Sequence, residues 1–287
     1  MMGEQQEGRF AMTSRRSSTV ISVVAFLGLS SALWAQQAKT PTLEEILERL
    51  EANLNHYDTG LPSLFCDEHA VSQVEPGLRD QNTVTDSFFR LKRTANADHS
   101  TTLVESREIK SVDGKPATSQ KMDGPTLLSG AFEGGLAIVS AGQTSCMNYT
   151  LQRTNRNRPT EPYIVRFATV LTPQNTADCL LQENSKGRVF IDPTSMQITR
   201  LELTTPHHTI LRGDAYSSPV VGERVLTVDY TAVLLGGESF WMPSTIASRT
   251  TSGGGTFRPT VWSFWAAYRN YHKLEVTSRI LSGSEAP

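Results

Sequence analysis

The stretch Glu223-Arg224-Val225-Leu226-Thr227-Val228-Asp229-Tyr230-Thr231-Ala232-Val233-Leu234-Leu235 runs into Gly236-Gly237 and returns as Ser239–Ser248. Its alternate positions, Leu226, Val228, Tyr230, Ala232 and Leu234, are apolar or small. That period of two belongs to a half-buried strand, not to a helix. Gly236-Gly237 supplies the positive φ angles of a two-residue turn. The segment therefore reads as a long antiparallel hairpin.

The same pattern extends in both directions. Strands are predicted at Phe65–Val74, Val84–Arg93, Thr101–Val112, Arg188–Asp192, Gln197–Thr204, Thr260–Tyr271 and Leu274–Leu281. Asp113-Gly114, Pro193-Thr194-Ser195 and Gly253-Gly254-Gly255 punctuate them as turns. Regular alternation of strand and turn predicts a meandering antiparallel sheet. One segment is plainly helical. Thr42 and Glu45 form a capping box, and Leu43, Ile46, Leu47, Leu50, Leu54 and Tyr57 make one apolar stripe. A helix over Thr42–Tyr57 must pack that stripe on something. A second, short helix is expected within Leu127–Ser140, and Arg153–Pro162 reads as a polar linker carrying Arg153, Arg156 and Arg158. No repeat or domain-scale linker interrupts residues 36–287, which are expected to form a single domain.

Residues 1–35 read as a secretory signal: Arg15-Arg16, an apolar centre at Val20–Leu29, and a small residue, Ala35, before Gln36. The apolar run is shorter than the roughly 20 residues of a spanning helix, so cleavage near Ala35 is expected over retention as an anchor. The destination is then the periplasm or the exterior. The whole chain of 287 residues has a formal net charge of −2, which disfavours nucleic-acid binding by charge. Its three cysteines would meet an oxidising compartment. One disulfide and one free thiol is the simplest outcome. Cys146 with Cys179 is the favoured pair, leaving Cys66 as a small buried residue.

The chain has no Gly-x-Ser-x-Gly elbow, His-Glu-x-x-His helix, P-loop or Gly-x-Gly-x-x-Gly. His207-His208 are adjacent, so on a strand they point to opposite faces and do not form a metal pair. Asp67-Glu68-His69 beside Cys66 could supply a Cys–His nucleophile, but water-facing strand charges explain it as well. No catalytic residue, metal site or cofactor is expected.

The aromatic residues suggest more. Trp262, Phe264 and Tyr268 share one strand face and Trp265 takes the other; Phe240 and Met242 share a face opposite Trp241. One side of the sheet is expected to carry the helix. The other is expected to form a groove for an apolar ligand on Trp262, Phe264, Tyr268, Phe240 and Met242.

Several motifs resemble those of the lipoprotein-sorting carriers of the Gram-negative envelope. They are Gly187-Arg188-Val189-Phe190-Ile191-Asp192-Pro193 with Ile198-Thr199-Arg200-Leu201-Glu202, then Val228-Asp229-Tyr230, Gly236-Gly237 and Trp241-Met242-Pro243, and finally Tyr268-Arg269-Asn270-Tyr271 leading to Ser278-Arg279-Ile280. Leu61-Pro62-Ser63-Leu64-Phe65-Cys66 and Val112-Asp113-Gly114-Lys115-Pro116 resemble a set of uncharacterised secreted bacterial proteins. The resemblance implies a mainly β, α+β fold: an open antiparallel half-barrel curled around an N-terminal helix. It also implies a concave apolar face able to hold lipid, an acyl chain or a lipoprotein, without catalysis. The polar insertions Asn96–Ser100 and Arg153–Pro162 depart from a minimal carrier. An envelope sensor or interaction module binding a membrane partner protein is the alternative expectation, and a hydrolase using Cys66 or a histidine a distant third.

Overall fold

The computed structural model describes residues 40–75, 81–95, 101–120, 135–152, 160–209, 220–252 and 259–274. The predicted signal segment, the linker arginines, residues 96–100, the Gly253–Gly255 turn and all but Leu274 of the last predicted strand lie outside them. Helix α1 spans Leu43–Gly60. The strands are β1 (Leu64–Glu75), β2 (Gln81–Ala95), β3 (Thr101–Val112), β4 (Lys115–Pro116), β5 (Met147–Gln152), β6 (Tyr163–Thr169), β7 (Lys186–Ile191), β8 (Ile198–Thr209), β9 (Val220–Leu235), β10 (Glu238–Thr251) and β11 (Val261–Lys273).

They form one sheet in the order β4-β3-β2-β1-β11-β10-β9-β8-β7-β6-β5, with every described pairing antiparallel. Among the described residues the two end strands, β4 and β5, do not pair with each other, so the sheet is open. Two meanders, β1 to β4 and β5 to β11, are joined at the β1–β11 seam, where His69 lies opposite Ala267 and Val71 opposite Trp265.

α1 begins as its sequence requires. The Thr42 hydroxyl accepts from the Glu45 amide, and the Glu45 carboxylate accepts from the Thr42 amide. The helix runs through Gly60 and stops at Leu61, ahead of Pro62, which cannot continue it. Ile46, Leu50 and Tyr57 are its buried residues. Of the segment predicted to hold a short helix, residues 127–134 lie outside the described residues; a 3₁₀ turn at Leu136–Val139 falls within the rest, and a second at Ala141–Gln143 follows it.

Alternation gives the sheet an inner and an outer face. On β1, Leu64, Cys66, Glu68, Ala70 and Ser72 are buried on the inner face, while Asp67, His69 and Gln73 point outward. Val165, Val189, Leu201, Val228, Ile246 and Phe264 continue the inner face across the other strands, in one core with α1. The sheet is strongly curled. The rings of His207 on β8 and Trp262 on β11 are 5.9 Å apart although two strands lie between them. On a flat sheet three strand spacings would separate their backbones by ~14 Å. Curling toward α1 brings the two side chains together.

Two details differ from the alternation read in the sequence. Burial along β9 moves from Leu226, Val228 and Tyr230 to Val233 and Leu235, leaving Leu234 71% exposed. The shift sits beside a register change in β10 between Pro243 and Thr245. Strands β5 and β6 also lie in a region where no strand was predicted. Cys146 and Cys179 are joined by a disulfide (S–S 2.06 Å) that ties the approach to β5 to the loop ahead of β7.

Candidate functional site

α1 lies on the inner face near one end of the strands, and polar contacts hold it at three places along its length. The Asn53 side-chain amide donates to the carbonyl of Met196 in the β7–β8 turn (2.7 Å). The backbone amide of Ala141 donates to the Glu51 carboxylate (2.7 Å). At the helix C-terminus, the Arg93 guanidinium on β2 donates to the carbonyls of Asp58 (2.6 Å) and Leu61 (2.9 Å). A cation there also opposes the partial negative charge of the helix end.

Between these clamps a cleft remains along α1. Leu50, Leu54 and His56 form one wall, Leu136 and Val139 a second, and Ile198, Phe240 and Trp241 the third. The His56 ring stacks parallel on Phe240, with centroids 5.1 Å apart. The lining is predominantly hydrocarbon with few polar groups, and the free space is small, about 30 Å³.

Of the residues singled out in the sequence, Phe240 lines this cleft. Met242, Phe264 and Tyr268 are buried in the core on the same inner face. Trp262 is partly exposed beside His207. The helix and the aromatic set thus share one face, where sequence reasoning had expected them on opposite faces. The physical reason is that the outer face is charged around Asp67, Asp86, Lys110 and Arg269, whereas the inner face offers α1's leucine stripe a continuous apolar core. Sequence reasoning identified Leu50 and Leu54 as a packing stripe but missed that they border a cleft. Trp241, expected on the face opposite Phe240, lines the same cleft, and nothing local marked Leu136 or Ile198 as its neighbours, because only the tertiary fold brings them together.

Polar groups on the inner face are also organised. Glu68 is buried, accepting from Ser87 Oγ (2.7 Å), Arg107 Nε (2.8 Å) and Nη2 (3.0 Å), and the Tyr268 hydroxyl (2.9 Å). Arg107 also stacks over Phe89. The Tyr230 hydroxyl is buried and has no hydrogen-bond partner among the described residues. Leaving such a group dry costs about 1–3 kcal/mol.

Cys66 is poorly suited to nucleophilic chemistry. Burial, reinforced by the Glu68 charge, pushes its thiol up to about 12. His69, three residues on, is on the outer face, so the two side chains do not converge. His207 faces Trp262, and His208 reaches Glu183 at 3.1 Å, so this pair also diverges.

No family model matches the chain, and no curated protein matches it. Solved structures similar to it include a putative outer membrane lipoprotein-sorting protein domain from Vibrio parahaemolyticus, 11% identical, covering 78% of this chain and 90% of that one with a TM-score of 0.33. A LolA superfamily protein from Nitrosomonas europaea is 10% identical over 83% of this chain and 96% of that one, TM-score 0.33. A DUF1329 family protein from Desulfovibrio piger is 12% identical over the same shares, TM-score 0.37. The first of these is named for the lipoprotein-sorting type that the sequence motifs resemble. At such identities and TM-scores no functional assignment rests on them, and the fold is read from the strand order itself.

Proposed function

We propose that this chain is a non-catalytic protein of the cell envelope that takes up an apolar, lipid-like ligand, such as an acyl chain or the lipidated end of a lipoprotein. The supporting observation is the hydrocarbon-lined cleft between α1 and the start of β10, lying over the apolar inner face of an open, curled sheet. The ligand would enter against Leu54 and Phe240. Separating α1 from the sheet would then open Met242, Phe264, Tyr268 and Trp262 to it. Each buried methylene contributes about 0.8 kcal/mol, so six would supply about 5 kcal/mol before ordering costs. Export through residues 1–35 belongs to the same proposal, and the Cys146–Cys179 disulfide fits an oxidising destination.

The test is lipid mass spectrometry on the protein purified from envelope, paired with titration of the fluorescent fatty acid cis-parinaric acid. Co-purified lipid and saturable probe binding are expected. Leu54→Asp, at a half-buried position in the cleft wall, should weaken the probe at least tenfold, about 1.4 kcal/mol or more. A protein free of lipid that ignores the probe, or a Leu54→Asp variant binding as tightly as the parent, would sink the proposal.

A further inference from the structure

The outer face of the β1–β11 seam carries a depression independent of the cleft. Ala267 forms part of its floor, Trp265 stands at one end and Arg269 at the other. Four residue steps along β11 put the two ends about 13 Å apart, room for a sugar ring laid against the indole. Trp265 is 40% exposed, on the side of the sheet that α1 does not cover. A large aromatic ring left on a polar face is more informative than a scattered exposed leucine.

The rim facing the indole is built and held. Asp67 accepts from Lys110 Nζ and Asn270 Nδ2, each at 2.8 Å. Asp86 interacts with His69 Nδ1 at 2.7 Å and accepts from Ser111 Oγ at 2.8 Å. Asn270 takes φ +55°, an uncommon conformation for a residue other than glycine, beside the register shift at Phe65/Asp67. His69 sets its ring edge-to-face against Trp265, with centroids 6.1 Å apart. Each carboxylate has about four acceptor sites and uses two in these contacts, so both keep capacity for further donors.

Charge selects the ligand class. Asp67 and Asp86 are matched by two cations, Lys110 and Arg269, around one depression, and the third carboxylate in its lining, Glu68, is buried and already paired with Arg107. A net-neutral rim favours neither an anion nor a cation. It offers alternating fixed acceptors and donors beside an aromatic plate, which suits a ligand with an apolar face and many hydroxyls. We propose that this depression binds a neutral saccharide, a pyranose ring stacked on Trp265 with its hydroxyls donating to Asp67 and Asp86 and accepting from Arg269. The site does not depend on the cleft or on what fills it.

The test is calorimetric titration of the purified protein with maltotriose, cellotriose and chitotriose, with choline chloride and inorganic phosphate as charged controls. At least one trisaccharide should bind saturably, with an affinity insensitive to salt because the ligand carries no charge. Trp265→Ala and Asp67→Asn should each weaken it at least tenfold while the protein stays folded with only a small fall in melting temperature, since both side chains are partly exposed. Trp265→Phe should retain part of the binding. Leu54→Asp, which alters the cleft, should leave sugar binding unchanged. Three results would overturn the assignment: no saturable binding of any trisaccharide up to about 10 mM, a weak limit near 3 kcal/mol; binding indifferent to Trp265→Ala; or choline or phosphate binding that exceeds the sugars and falls with salt.

Discussion

Glu68 places a carboxylate on the inner face of the sheet, where its side chain has no solvent exposure and Arg107 has 14%. Such a pair is costly to break from one side, because the remaining charge stays buried. Arg107→Met should therefore destabilise the protein by about 3–5 kcal/mol. The double variant Glu68→Gln with Arg107→Met should recover part of that loss, and urea unfolding of the set measures both. Cys66 gives a second expectation at this scale. With its thiol held up to about 12 by burial, native protein should react with iodoacetamide at pH 8 far more slowly than urea-unfolded protein. Fast native alkylation would show that the inner face opens readily.

Asp67 and Asp86 supply the pH dependence. The Lys110 and Asn270 hydrogen bonds hold Asp67 below the ordinary carboxylate range, and those from His69 and Ser111 do the same for Asp86. A carboxyl whose pKa is lower folded than unfolded stabilises the fold fully above the unfolded value of about 4. That contribution disappears as pH falls through the lower folded value. Stability should decline from about pH 4 downward, and Asp86→Asn should flatten the decline when urea midpoints are followed from neutral pH into acid. Both side chains are more than a third exposed, so the effect is modest.

Among the elements, β7 shows how closely the strands are fitted. A Cβ on Gly187 would lie 2.1 Å from the Glu202 carbonyl oxygen and 2.4 Å from Phe167 Cζ. Gly187→Ala must push β8 or Phe167 aside, and a loss of about 2–3 kcal/mol is expected by thermal or urea unfolding. Thr42→Ala removes one half of the α1 capping box and should cost about 1 kcal/mol. Elements with a strong local code were legible in the sequence. The capping box and leucine stripe announced α1, and alternation with a Gly-Gly turn announced the β9–β10 hairpin. β5 and β6 escaped because Met147–Gln152 and Tyr163–Thr169 are short and gain definition from pairing with each other and with β7. Phe240 was legible as an inward aromatic. Its partners Leu136 and Ile198 were not, since nothing local records that α1 gathers them into one cleft.

At the scale of the whole molecule, the disulfide closes a loop of 33 residues around β5 and β6. The chain-entropy estimate for a loop of that length is about 3–4 kcal/mol, so reduction should lower unfolding stability by about that amount. The loss should be read by comparing urea midpoints with and without dithiothreitol. It should concentrate at the β5 edge, where hydrogen exchange would rise first.

The seam between β1 and β11 governs something the folded state alone conceals, the order in which the sheet can be completed. β1 follows α1 directly, yet its partner on one side is the last described strand, and the Tyr268–Glu68 hydrogen bond spans 200 residues of chain. A chain emerging from its N-terminus can pair β1 with β2 and β3, and later β5 through β10, but the halves cannot lock until β11 slots between β10 and β1. β11 is therefore the keystone. Pulse-labelled hydrogen exchange during refolding should find the amides of β1 and β11 protected after those of the β9–β10 hairpin, because long-range pairing waits on loop closure. Until that strand arrives, the flanks of β1 and β10 stand unpaired and invite other strands.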